Sequence, residues 1–244
     1  MDPWIWLGLF ILLAYGVEAI TGFGSIVIAL SLGALMLPLA QLLPVLVPLN
    51  CLMTGYLVTR HHRHIHWPTL LKLILPLMVL GTLAGYLLRP HLAESLLQLL
   101  LGVLIVAFAG RELWRMARQQ SSPRPPLAVT RGIMFAAGIS HGLFASGGPL
   151  LVYGLTGVTL DKARFRATLV TLWLSLNGLL TLLYLADGSL IPSLPRLAAY
   201  LPVLVLGVVL GEWLHHRVNE QRFRQLVFVL LVVTGIALVA GHWI

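Results

Sequence analysis

Charge is scarce in this sequence. Only 10% of its 244 residues are Asp, Glu, Lys or Arg, where a soluble domain carries about a quarter. A surface so poor in charge has to face something other than water. Acidic residues are rarer than basic ones, 8 against 16, which leaves a formal net charge of +8. No globular basic domain accompanies that excess, so nucleic acid is not expected as a partner. The one cysteine, Cys51, lies in an apolar run and allows no intramolecular disulfide. A positive n-region is missing from the opening MDPWIW, so the first helix is expected to be retained rather than cleaved as a signal peptide. There is no nucleophile–base pair, Walker motif or dinucleotide fingerprint. This argues against an enzyme, implies no cofactor, and means that energy from ATP would need a separate subunit. Alternating segments of about ten residues are missing too, which excludes a transmembrane barrel.

Apolar length is abundant. The hydrophobic class makes up 59% of the chain and the mean hydropathy is +0.93. From Leu70 to Leu88 the only charge is Lys72, and after Arg224 only His242 could carry one. About 20 such residues span a bilayer core as a helix. A helix is required because lipid cannot satisfy free backbone polar groups. The expected fold class is therefore all-α integral membrane.

A basic, Pro-rich run from Arg111 to Arg131 divides the chain into near-equal halves. Pro76, Gly81 and Gly85 match Pro202, Gly207 and Gly211, and Asn50 with Thr54 matches Asn177 with Thr181. Each half opens on a helix interrupted by glycines, at residues 21–25 and 145–149. We expect a first membrane repeat over residues 1–118, a cytoplasmic linker over 119–130 and a second repeat over 131–244. The first half reads as an interrupted segment at 4–37 followed by plain spans at 42–59, 68–88 and 93–109. The second reads as an interrupted segment at 131–158 followed by spans at 167–186, 197–215 and 223–243.

The basic residues choose the topology. If each interrupted segment crosses the bilayer once, Lys and Arg divide almost evenly between the two sides. If each turns back on itself, all except Arg89 and Arg196 fall on one side, as cytoplasmic loops require. The re-entrant arrangement puts both termini outside. It also leaves three crossings per half, so the two repeats are inverted. Inverted repeats with broken helices are a transporter architecture, with the substrate near the midplane.

Candidate site residues follow from that layout. Gly22, Gly24 and Ser25 form one tip, and Ser146, Gly147 and Gly148 the other. Glycines let the backbone approach a ligand, and a half-helix starting there points its N–H groups at an anion. The competing reading is close helix packing, which is preferred for Gly81/Gly85 and Gly207/Gly211. Asn50 and Asn177 lie deep in spans, where an amide either joins helices or contacts the ligand. Glu18 and His141 stand near the two tips as candidates for coupling transport to protons, since intramembrane ionisable groups are functional by default. Glu212, close to a cytoplasmic end, is expected to snorkel or to pair with Arg217. The loop from Arg60 to His66 carries His61, His62, His64 and His66; it reads as a solvated basic loop, with a metal-cation transporter as the alternative. Metal is not expected among the site ligands.

GVEAITGFGSIVIAL at residues 16–30, SGGPLLV at 146–152 and GVTLDKARFRAT at 157–168 resemble the TauE/SafE family of sulfite and organosulfonate exporters, and the resemblance extends over nearly the whole chain. It implies a secondary transporter of a small, sulfur-containing anion in the bacterial inner membrane, working by alternating access and coupled to a proton or ion gradient. Two positions depart from the family pattern: Ser25 stands where a further glycine is common, and Tyr153 where a proline is. A non-transporting accessory subunit is the remaining alternative. The expected partners are the small anion and the lipid bilayer, and a homodimer is compatible with the apolar faces.

Overall fold

The structure is a computed structural model that describes residues 2–21, 24–118, 126–155, 160–215 and 220–241. Among these the regular structure is entirely helical. Five helices are long and apolar enough to cross a membrane: Leu39–His64, Trp67–His91, Glu94–Arg118, Ala163–Ala186 and Ile191–Gly211. They fall on the plain spans expected from the sequence. The last expected span, at 223–243, corresponds to the shorter apolar stretch Gln225–Gly241.

The first helix, α1 (Pro3–Thr21), opens with the Asp2 carboxylate accepting from the Trp4 N–H at 3.0 Å. The chain then breaks. Gly24 sits at φ 104°, a left-handed geometry that suits glycine, and α2 (Ser25–Gly33) follows. Helix α3 (Leu39–His61) starts where the Glu94 side chain accepts from the Leu39 N–H. Helix α4 (Trp67–His91) contains a π-turn at Leu70–Ile74 just before Pro76. Proline has no N–H and crowds the carbonyl four residues back, and a wider turn at that point relieves both problems. Helix α5 is Glu94–Arg118.

The second half begins with α6 (Leu127–Phe144), which ends at Ala145, a non-glycine residue at φ 50°. A short α7 (Gly148–Gly154) follows, with Pro149 in its first turn. Helix α8 (Lys162–Ala186) is capped by Asp161, whose carboxylate accepts from the Arg164 N–H at 2.9 Å. Helices α9 (Leu194–His215) and α10 (Glu220–Gly241) complete the chain.

The helices form two compact units, each of which draws on both halves of the sequence. The first comprises Met1–Leu46, Leu92–Ser121 and Ser193–Ile244. Within it α1 packs on α9 and on α2, and α5 packs on α10. A Cβ added at Gly211 would lie 2.5 Å from the Gly16 carbonyl oxygen, so α1 and α9 meet backbone to backbone. Gly102 and Gly235 bring α5 and α10 together in the same way. Such contacts hold membrane helices because lipid is as apolar as leucine, and close van der Waals packing supplies most of the attraction. At one end of this unit the Tyr200 hydroxyl donates to the Trp4 carbonyl at 2.6 Å, and the Arg196 guanidinium lies 3.7 Å from the centre of the Trp4 ring. Val205, Val209 and Leu210 on α9 and Val229 and Val233 on α10 are exposed, as lipid-facing stripes are.

The second unit comprises Val47–His91 and Ser122–Pro192. Here α4 packs on α6, α6 on α7, and α8 on α4. A Cβ at Gly85 would lie 2.3 Å from the Ile139 carbonyl oxygen, and one at Gly142 would lie 2.2 Å from that of Thr82. Around this crossing Ile74, Met78, Met134, Ala137, Leu151, Leu172 and Leu176 form a buried core. One common offset in numbering carries Gly16 to Gly142, Gly81 to Gly207 and Gly85 to Gly211. The glycine crossing of α4 on α6 therefore has its counterpart in that of α9 on α1.

Candidate functional site

The second helix break lies in the second unit. Helix α6 closes with Ala145 N–H donating to the His141 carbonyl at 2.6 Å, and the Ser140 hydroxyl donates to the Ser146 carbonyl at 2.8 Å. The first bond satisfies a carbonyl that the helix end would leave open, and the second ties the turn back onto α6. Gly147 then lies tight against α6: a Cβ there would be 2.3 Å from the Ala137 carbonyl oxygen and 3.1 Å from the His141 Cβ. Glycine at this position is thus a steric requirement.

His141 is 1% exposed and stacks on Trp173 of α8, with ring centroids 5.6 Å apart and an interplanar angle of 21°. Trp173 also reaches over the start of α7, 3.5 Å from where a Gly148 Cβ would lie. One helical turn beyond Trp173, Asn177 lies beside the imidazole but outside hydrogen-bond geometry. Its amide instead donates from Nδ2 to Asn50 Oδ1 at 2.7 Å. The two asparagines expected separately from the sequence are therefore one pair. Each has a threonine one turn on that bonds back to its carbonyl: Thr54 to Asn50 at 2.7 Å and Thr181 to Asn177 at 2.8 Å.

The pair and the tip leave polar atoms over. Both ring nitrogens of His141, the Ser146 hydroxyl and the free oxygen of Asn177 are buried without a hydrogen-bond partner. An unpaired buried polar group costs about 1–3 kcal/mol, and such groups at one place mark a site that something else completes. The Nε of Arg166, in the first turns of α8, is likewise buried without a partner.

In the first unit, Glu18 and Ser25 are buried, at 2% and 1% exposure, on either side of the first break. Gly24 lies at that break and Gly22 lies outside the described residues. The Glu212 side chain and Arg217 are outside them as well.

The His-rich loop uses its ring atoms locally. His62 Nδ1 lies 2.9 Å from the Thr59 carbonyl, and His66 Nδ1 lies 2.7 Å from the Thr69 hydroxyl. The His66 N–H bonds to the Thr168 hydroxyl at 3.0 Å, tying the loop to α8. Among the described residues no three His, Cys, Asp or Glu side chains are grouped to hold a metal ion. Asp161, at the exposed start of α8, is held below the usual carboxylate range, first by the Arg164 backbone N–H and also by the Arg164 guanidinium. At the opposite end of α8 the Tyr86 hydroxyl donates to Asp187, and Arg89 donates to the Tyr184 hydroxyl at 3.3 Å.

Trp173 was not singled out by sequence reasoning. The signal was available, because Trp173 precedes Asn177 by four residues and so lies on the same helix face.

Apolar helices of spanning length, with broken helices beside them and buried polar atoms at a break, define a polytopic α-helical membrane protein. The sulfite exporter TauE/SafE family model matches residues 7–238. The chain belongs to that family and is a membrane transporter rather than an enzyme. It is also 26% identical over 185 residues, covering 74% of this chain and 75% of the relative, to the probable inner membrane transporter protein TsaS of Comamonas testosteroni. No solved structure matches it significantly.

Proposed function

We propose that the protein is a secondary transporter of a small sulfur-containing anion, sulfite or an organosulfonate, in the bacterial inner membrane. The observation that carries this reading is the cluster of buried, unpartnered polar atoms around His141 at the second helix break. In this reading the anion accepts from the imidazole and the Ser146 hydroxyl. The Asn50–Asn177 pair shapes the far wall, and Gly147 and Gly148 let the backbone come close. Glu18, Gly24 and Ser25, with Gly22, serve the corresponding tip of the first unit, where Glu18 carries the coupling proton.

Both broken helices turn back within the bilayer, and alternating access follows from inverted repeats. Two observations support this. The arms of each break pack on one another, α1 on α2 and α6 on α7. Helix α7 has 7 residues, about 10 Å at 1.5 Å per residue, too short for a ~30 Å core. With both segments re-entrant, the termini lie outside and nearly all the basic residues are cytoplasmic. The repeated glycine crossings support a duplication with repeats at 1–118 and 131–244 joined by the linker at 119–130.

Flux of radiolabelled sulfite and a sulfonate into proteoliposomes tests the reading. Wild-type flux should rise with a proton gradient and should be lost in Gly147→Leu at equal expression. Undiminished flux in that variant would remove the second break from the transport path.

A further inference from the structure

The loop between α3 and α4 has no part in the reading above, yet it is built into the second unit. Its turn His62–His64 packs on α8, and the His66 N–H bonds to the Thr168 hydroxyl at 3.0 Å. Phe165 packs against the buried core of the unit and seats the first turn of α8. Positive charge gathers at this junction. Arg60, His64 and Arg166 stand close enough to His61 for their charges to act on it, and His64 acts on Asp161 in the same way. Asp161 is already engaged, because it caps α8 and its carboxylate lies 3.2 Å from the Arg164 guanidinium. The sequence of the second unit holds one other acidic residue, Asp187, at the opposite end of α8. The unit's own acids therefore leave the junction with an excess of positive charge.

Arg166 adds a second, independent observation. Its Nε is enclosed without an acceptor, while the residue as a whole is only half-buried, so the guanidinium is held in place with its far side toward the surface. Crowded like charges repel, and a charged donor without an acceptor is costly. An anion from outside the chain relieves both, and the planar fork of arginine suits phosphate oxygens in particular. The place also has an apolar border. Tyr56 and Trp67 flank the loop and are exposed, Leu71 continues the exposed face of α4, and the Arg60 guanidinium lies 5.4 Å from the centre of the Tyr56 ring. Aromatic residues at span ends sit at headgroup level. A soluble anion would use the charge and leave the apolar border idle, whereas a phospholipid uses both. We infer that the junction of this loop with the start of α8 binds an anionic phospholipid of the adjoining leaflet. Its phosphate lies among Arg60, His64 and Arg166, and its chains run along Trp67 and Leu71.

Native mass spectrometry tests this on the full-length protein in a neutral detergent, titrated with phosphatidylglycerol and with phosphatidylcholine of the same chains. Phosphatidylglycerol should bind about tenfold more tightly or better, since the neutral lipid offers no net charge to the junction. Arg166→Gln should weaken phosphatidylglycerol about tenfold, the worth of one hydrogen bond to a charged group. Arg60→Gln, at an exposed position, should weaken it about fivefold, the usual effect of one basic residue at an anionic membrane surface. Arg131→Gln removes an equal charge from the start of α6 and should change the affinity by less than about twofold. Millimolar inorganic phosphate should not displace the bound lipid. Equal affinity for the two lipids overturns the inference, and so does a loss in Arg131→Gln that matches those of Arg60→Gln and Arg166→Gln. Displacement by inorganic phosphate overturns it too, and gives the junction to a soluble oxyanion. If Arg166→Gln does not fold, the comparison of the two lipids on the wild type and the Arg60→Gln and Arg131→Gln pair decide the question without it.

Discussion

Replacing Asn50 by Leu, a side chain of nearly the same shape, leaves the Asn177 amide with neither end bonded inside the bilayer. In the wild type Nδ2 of Asn177 is satisfied by Asn50 at 2.7 Å while its oxygen is not. The substitution therefore adds one buried unpaired donor to an existing unpaired acceptor. The added cost is about 1–2 kcal/mol, taking the usual 1–3 for a stranded buried group and the smaller values measured between membrane helices. Replacing Asn177 instead removes its unpaired oxygen together with the bond to Asn50, so the loss of one contact is offset by the loss of one orphan. That variant should stay within about 1 kcal/mol of the wild type. With both residues changed to Leu no amide of the pair remains, and the double variant should be more stable than Asn50→Leu alone. The effects are then non-additive, as expected for residues in contact. Reversible unfolding in mixed micelles, followed by tryptophan fluorescence, reads all four proteins. Additive losses in the double variant, or Asn177→Leu costing more than Asn50→Leu, would refute the bonding pattern described for the pair.

Gly85→Leu puts side-chain atoms where even a Cβ would be 2.3 Å from the Ile139 carbonyl. It should push α4 off α6 and eliminate the monodisperse peak on size-exclusion chromatography. Gly132→Ala and Gly178→Ala meet nothing within 4 Å and should be neutral or stabilising by up to about 1 kcal/mol, the helix-propensity gain over glycine. Asp161→Ala removes the cap of α8. Because the folded-state pKa of Asp161 is depressed, the cap's contribution is full above the ordinary carboxylate range and is lost as pH falls through the depressed value. The stability gap between wild type and Asp161→Ala should accordingly close on acidification, as pH-dependent thermal melts will show. Changing His61, His62, His64 and His66 together to Ala should leave anion flux unaltered, and a chelator should not change the wild-type rate.

The plain spans were legible from the sequence because a run of about twenty apolar residues has few alternatives in a bilayer. The breaks near Gly24 and Ser146 were legible because glycines interrupt those runs beside polar residues. The partners of Gly81 and Gly85 were not. Their spacing shows that some backbone approaches closely, but nothing in it identifies α6 of the other half as that backbone. The pairing of Asn50 with Asn177 was hidden for the same reason, since two amides far apart in sequence give no sign that they meet. His141 was read as a coupling residue because it titrates near neutral pH. Its stacking on Trp173 and its place beside Ser146 and Asn177 make it, in our proposal, a ligand for the anion. Packing between α6 and α8 decides that, and a pattern confined to one helix does not encode it.

The most direct test of the account is radiolabelled sulfite and isethionate flux in proteoliposomes. It compares the wild type with a His141→Phe variant shown to be folded by size-exclusion chromatography. Phe keeps the stack on Trp173 and removes both ring nitrogens. Gradient-driven flux is expected in the wild type, with its near-complete loss in the variant. Equal flux in the two proteins would contradict the placing of the anion at His141.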